Sequence, residues 1–220
     1  MGREARDGDW LREKVESAEA SSLALLGSEQ FLYAAAGGDP VPEALLVAAA
    51  ASEHAARETF RQWTEDEGDD DARAVFESVV DQETEHRSRV ASELDGWSPE
   101  SEPPGPMHAY LRGPDATVER IAGGMVGRPL VTLRTHERLV SFFTARGDDR
   151  RAGLFRDLRA ETAAVLDDGI SLLETRCASD SAWETARLVA TYTIRLAGDD
   201  TADALRGLGI DPSVSNSGRE

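Results

Sequence analysis

Residues 96–115 read GWSPESEPPGPMHAYLRGPD. Five prolines lie between positions 99 and 114. Each removes a backbone donor and crowds the preceding turn, so no continuous helix runs through the stretch. Structureless connections longer than ~12–15 residues are uncommon inside compact domains. Reach gives this one a purpose. A run of this length, extended, spans up to ~66 Å, whereas a helix of about 25 residues is ~37 Å long. The stretch can therefore carry the chain from one end of a helical bundle back to the other. The alternative is a flexible linker between two small helical domains.

On both sides the sequence is helical in pattern. Ala, Leu, Arg and Glu dominate the periodic segments, and strand-like alternation is nearly absent. The periodicity predicts helices over 9–36, 41–66, 71–95, 116–126, 129–146, 149–175 and 181–197, with a short turn near 200–208. GGDP at 37–40 stops the first helix, and Pro42 sits where a helix start tolerates proline. DEGDDD at 66–71 and RGDD at 146–149 separate two pairs of long helices. Ser181 and Glu184 form a capping-box pattern. The expectation is one all-α domain over 1–212, with 213–220 a flexible tail. In it, 41–66 packs antiparallel to 71–95 and 129–146 antiparallel to 149–175, with 96–115 crossing between the hairpins and further helices at both ends. Such a single crossover between hairpins is the ferritin-like arrangement of a four-helix bundle.

The two hairpins look alike. SEHAARETFRQW precedes its turn much as THERLVSFF does, and ARAVFESVVDQETEH and RAGLFRDLRAETAAV follow. Phe60 then matches Phe143, Phe76 matches Phe155 and Glu83 matches Glu161, as a duplicated hairpin would leave.

Glutamates interrupt the apolar stripes near mid-helix. The stripe through Leu46, Ala49, Ala56, Phe60 and Trp63 includes Glu53, and that through Phe76, Val79, Val90 and Leu94 includes Glu83 and His86. Leu130, Leu133, Val140 and Phe143 flank Glu137, while Leu154, Leu158, Val165 and Leu172 flank Glu161. A Glu and a His three residues apart share one helix face. A buried carboxylate needs a partner, a proton or a metal. Four converging carboxylates carry a charge that two ferrous ions would neutralise. The competing reading is that these glutamates are arginine-paired or solvent-exposed, since 42 of the 220 residues are acidic.

On these residues the chain resembles the rubrerythrin-like branch of the ferritin-like superfamily over about 41–175. The resemblance implies a di-iron or mononuclear iron protein in peroxide, oxygen or iron handling, as a non-haem iron oxidoreductase or peroxidase. It implies Glu53 and Glu137 as terminal ligands, Glu83 and Glu161 as bridging ligands, and His86 as the nitrogen ligand of one iron. The second Glu-x-x-His departs from the family pattern: it reads ETAA, with Ala164 in the histidine position, and Asp168 is the nearest substitute. The Cys-rich rubredoxin-type module of full rubrerythrins has no counterpart around the single Cys177, so electrons would come from an external donor. The other class of function is a non-catalytic helical scaffold or partner-binding protein on the same fold.

Composition excludes other classes. There are 42 acidic and 24 basic residues, a net charge of −18, and Lys14 is the only lysine. Such a surface repels nucleic acid and anionic lipid. Acidic, lysine-poor composition points to adaptation to high salt, although Arg and Ala richness also follows from a GC-rich genome. The longest apolar run, ALLVAAAA at 44–51, falls well short of the ~20 residues of a membrane span. The start of the chain lacks the apolar core of a signal peptide, so the expectation is a soluble, cytoplasmic protein. Assembly as a homodimer or higher homo-oligomer stays open. Among the remaining histidines, His54 reads as a surface partner of Glu58, and His108 reads as exposed in the crossover. His136 adjoins Glu137 but points about 100° away from it.

Overall fold

The computed structural model describes residues 6–99 and 104–213. The expected tail lies almost wholly outside them. Among the described residues every regular element is helical.

The segment expected as one helix over 9–36 is three: α1 (Gly8–Ala18), α2 (Ala20–Leu26) and α3 (Glu29–Ala36). The first break has a cause. Glu19 leaves helical geometry and turns inward, accepting from Ser22 Oγ at 2.8 Å and from Arg195 Nη2 at 2.7 Å. At the second break the Ser28 hydroxyl takes the Leu25 carbonyl at 2.7 Å.

Two long hairpins follow. Helices α4 (Pro42–Asp66) and α5 (Asp70–Ala91) are joined by three residues, and Asp69 caps α5 by accepting from Ala72 N–H at 2.9 Å. The connection to the second hairpin holds a short helix that the proline count concealed, α6 (Pro106–Leu111), which starts on a proline at its first position. Next, α7 (Thr117–Ile121) runs through a π-helical turn, Ala122–Gly127, directly into α8 (Arg128–Ala145). The expected break at Gly127 is therefore a widened turn. Pro129 follows it and brings no N–H to close an ordinary helical bond. Helix α9 (Asp149–Arg176) completes the hairpin.

The last helix, α10 (Asp180–Gly207), continues past 197, the expected end, and takes in the turn expected near 200–208. Gly198 is there for contact: a Cβ would lie 2.7 Å from that of Ser22, so its absence lets α2 and α10 approach. Ser179, not Ser181, is the cap, accepting from Ala182 N–H at 3.2 Å.

Two apolar clusters fix the helix directions. One holds Phe60 and Trp63 of α4, Phe76 and Val79 of α5, Leu130 of α8 and Val165 and Leu166 of α9. The other holds Leu45 and Leu46 of α4, Val90 of α5, Phe142 and Phe143 of α8 and Phe155 and Leu158 of α9. Thus α4 and α9 run one way, α5 and α8 the other. The connection must return the chain between clusters, and it does: Trp97 packs on the second and Leu111 lies in the first. Between the two apolar clusters lies a buried polar layer. No helix is long and apolar enough to cross a membrane among the described residues.

Candidate metal centre

The polar layer is built at mid-helix. Glu53 of α4 and Glu83 and His86 of α5 are buried at 2 %, 0 % and 0 % exposure. One donor atom from each lies within 4.8 Å of the others. The one-turn spacing of Glu83 and His86 puts both on the inner face of α5.

Two side chains of α8 close the cluster. Arg128, itself buried, donates from Nη2 to Glu83 Oε1 at 2.5 Å, and the same nitrogen is 3.7 Å from Glu53 Oε2. His136 Nε2 is 3.2 Å from Glu53 Oε1, and its ring meets Phe155 edge-on at 5.5 Å. Neither residue was among the expected ligands. From α9, Glu161 accepts at the rim from His86 Nε2 at 2.5 Å and from Arg89 Nη1 at 3.0 Å, with its side chain 41 % exposed.

Glu137 is elsewhere. Expected on the inner seam, it faces solvent at 57 % side-chain exposure, 3.9 Å from Arg159. Its neighbour His136 faces inward instead. The aromatic anchors explain the difference. Phe60 and Phe76 pair near one hairpin turn and Phe143 and Phe155 near the other, each at 5.7 Å between centroids. Seven residues before Phe60 is Glu53; seven before Phe143 is His136. Seven after Phe76 is Glu83; seven after Phe155 is Thr162, which is buried. On this register the second hairpin presents His136, Thr162 and Val165 where the first presents Glu53, Glu83 and His86. The expected match of Glu83 with Glu161 is one residue out of phase, about 100° on a helix.

Burial governs the titration of the cluster. It pushes the Glu83 carboxyl up to about 8, against Arg128, with Glu53 adding to the rise. His136 is driven down to about 4, chiefly by burial. His86 is also lowered by burial, although Glu83 and Glu161 oppose this. Burial would raise Glu161, but the hydrogen bonds from Arg89 and His86 outweigh it and hold the carboxylate low. Several buried atoms lack a partner among the described residues: Glu83 Oε2, His86 Nδ1, His136 Nδ1 and Arg128 Nη1. Unsatisfied buried polar atoms are rare and mark a place where an ion or water belongs.

Both remaining histidines differ from expectation. His108, expected exposed, is buried, and its Nδ1 is 3.4 Å from Thr59 Oγ1. His54 is half-buried, and its Nδ1 has no partner among the described residues. Cys177 is buried, and burial pushes its thiol up to about 11, which leaves it inert.

Comparison of the chain with protein-family models, with curated proteins and with solved structures gives no significant match.

Proposed function

We propose that this is a ferritin-like helical protein that holds one transition-metal ion, of the iron class, between Glu53, Glu83 and His86. The carrying observation is that cluster: two carboxylates and an imidazole, wholly buried, with donor atoms within 4.8 Å of one another and Glu83 Oε2 unpartnered. Carboxylate and imidazole together suit iron, manganese or zinc, and the resemblance of the hairpins to rubrerythrin-like proteins favours iron. The helix directions support the same reading, because the long connection joins two hairpins of the sense that ferritin-like bundles use. A single iron there supplies one-electron chemistry, and the role that follows is in peroxide, oxygen or iron handling with electrons from an external donor.

The residues present do not fit a second ion. Thr162 and Val165 stand where the second carboxylate and imidazole would be, Ala164 offers no donor, and Glu137 faces solvent. Arg128 already supplies a second positive charge, with Nη2 2.5 Å from Glu83.

Protein purified without chelator, assayed for metal by mass spectrometry, should carry one ion per chain. His86→Ala and Glu83→Gln should each remove most of it, because affinity depends on ligand number and charge. A second reading, a metal-free scaffold, is favoured by Arg128, whose one charge balances the cluster while Glu83 keeps its proton. It is chosen if wild-type protein holds no metal and its melting temperature ignores added iron.

A further inference from the structure

The inner position of α9 belongs to the buried Thr162, so Glu161, one residue earlier, comes to the rim of the polar layer. It lies outside the group whose donor atoms are within 4.8 Å of one another, which is Glu53, Glu83 and His86. Two side chains one turn apart on α5 hold it at the rim. His86 Nε2 is 2.5 Å from its Oε2, and Arg89 Nη1 is 3.0 Å from each of its oxygens. Arg89 is steadied in turn by Asp157, 3.6 Å from its Nη2.

These contacts fix the place of one proton. A carboxylate shared with a guanidinium is held in its ionised form, which only accepts. The proton between Glu161 and His86 therefore sits on Nε2. A metal-binding imidazole is neutral and carries a single proton, so Nδ1 is left as a bare lone pair. That atom is buried and has no partner among the described residues. Glu83 Oε2, one turn earlier on the same face of α5, has none either. Their burial suits an ion, which sits among its donors at ~2.0–2.2 Å and needs no open surface on them.

Metal-binding histidines ordinarily give their second ring N–H to a carboxylate, and this fixes both tautomer and ring orientation. Here the acceptor comes from another helix. Glu161 itself is badly placed to be a ligand: it meets the ring at Nε2, away from the bare Nδ1, and Arg89 engages both its oxygens.

We propose that Glu161 is the positioning residue of this site: pinned by Arg89, it holds the Nε2 proton of His86 and so presents the bare Nδ1 to the ion, without binding the ion itself. The proposal rests on the metal reading above and names what readies its one nitrogen ligand.

Two measurements on the full chain test it. In chelator-treated, nitrogen-15-labelled protein, long-range proton–nitrogen correlation reads the His86 tautomer, with the signals assigned by their loss in His86→Gln. Wild type should show Nε2–H alone, and Glu161→Leu should show a mixture of tautomers. Cobalt(II), an optical stand-in for ferrous iron, then reads affinity and ligand field. Wild type should bind one ion. Glu161→Leu should still bind one, about ten-fold or more weaker and with shifted d–d bands. Glu161→Gln keeps an acceptor for Nε2–H and should stay within about three-fold of wild type, the difference between a charged and a neutral hydrogen bond. Were Glu161 a ligand, Gln would cost as much as Leu. Cobalt binding together with an Nδ1–H tautomer, with Glu161→Leu as tight as wild type, or with Gln and Leu equally weak, overturns the positioning role alone. No cobalt uptake by wild type sinks the metal reading and this one with it.

Discussion

Glu83 decides how the interior answers to pH. Its carboxyl sits near 8 rather than at the ordinary 4.5, with burial as the main cause. Between those values the folded chain keeps a proton that the unfolded chain releases, so stability falls as pH rises through the window. His136, near 4, and His108, near 3, act in the opposite sense. Below the ordinary 6.5 the unfolded imidazoles take up protons that the folded ones refuse, so stability falls as pH drops. Chelator-treated protein should therefore melt highest near pH 6.5 and lose on the order of 1 kcal/mol by pH 8, the imidazoles offsetting part of the Glu83 decline. In Glu83→Gln the alkaline decline should disappear while the acid decline stays. Scanning calorimetry across pH reads both limbs, and a wild-type curve still rising at pH 8 would mean that Glu83 is ionised in the fold. Arg128 is the other half of this balance. Arg128→Met should cost about 3 kcal/mol in urea unfolding, because it strands buried carboxylates. The loss should grow at alkaline pH, where Glu83 no longer shelters behind its proton; an unchanged midpoint would show that the guanidinium is dispensable.

Arg128 points inward because of the element before it. The turn Ala122–Gly127 is π-helical, and its glycines sit where neighbours leave no room. A Cβ on Gly127 would lie 2.8 Å from both the Ala190 carbonyl and Thr193 Cβ, against a backbone that cannot yield. Gly127→Ala should therefore destabilise by about 1–3 kcal/mol through overpacking and weaken metal binding as Arg128 shifts. Gly153→Ala in α9 is the control. Nothing lies within 4 Å of its Cβ, so it should gain about 0.5–1 kcal/mol. Equal effects of the two would refute the packing account. The same element marks the limit of what the sequence reveals. The sequence pattern breaks the helix between 126 and 129, yet the chain runs through AGGMVG as helix, because the glycines are spaces for Leu111, Trp63 and α10 rather than stops. The hairpins and the crossover were legible in short acidic turns and clustered prolines, which act locally. The bends at Glu19 and Ser28 were not, since the partner of Glu19 is 176 residues away. Nor was the phase of α8 and α9. A one-residue choice turns a side chain by about 100°, and only the pairing of Phe143 with Phe155 fixes it. The first hairpin's cluster was readable from its stripe; the second hairpin's contribution, His136, needed that register.

The whole molecule carries a conflict between its surface and its core. The acid excess is 18 charges on a chain of 220 residues. Surface pairs such as Arg61 with Glu65, Arg73 with Asp70 and Arg206 with Asp203 use the available arginines locally. Exposed pairs of this kind contribute about 0–1 kcal/mol each, and salt weakens them. Self-repulsion among the excess carboxylates works against the compact state over longer distances, and salt weakens that as well. The sign of the net salt effect depends on which is larger. Because acids outnumber bases by 42 to 24, most added screening falls on repulsive pairs. The buried cluster is largely insulated, since Glu83, His86 and Arg128 lie within 2 % of full burial and mobile ions do not reach them. The melting temperature should therefore rise from dilute buffer to molar potassium chloride, with most of the gain already present at a few tenths molar, where the screening length falls below about 8 Å. Glu83→Gln should show the same rise, because its change lies below the screened surface. A melting temperature that stayed flat or fell with salt would mean that the surface pairs outweigh the repulsion. A rise confined to wild type would place the salt response at the buried cluster instead.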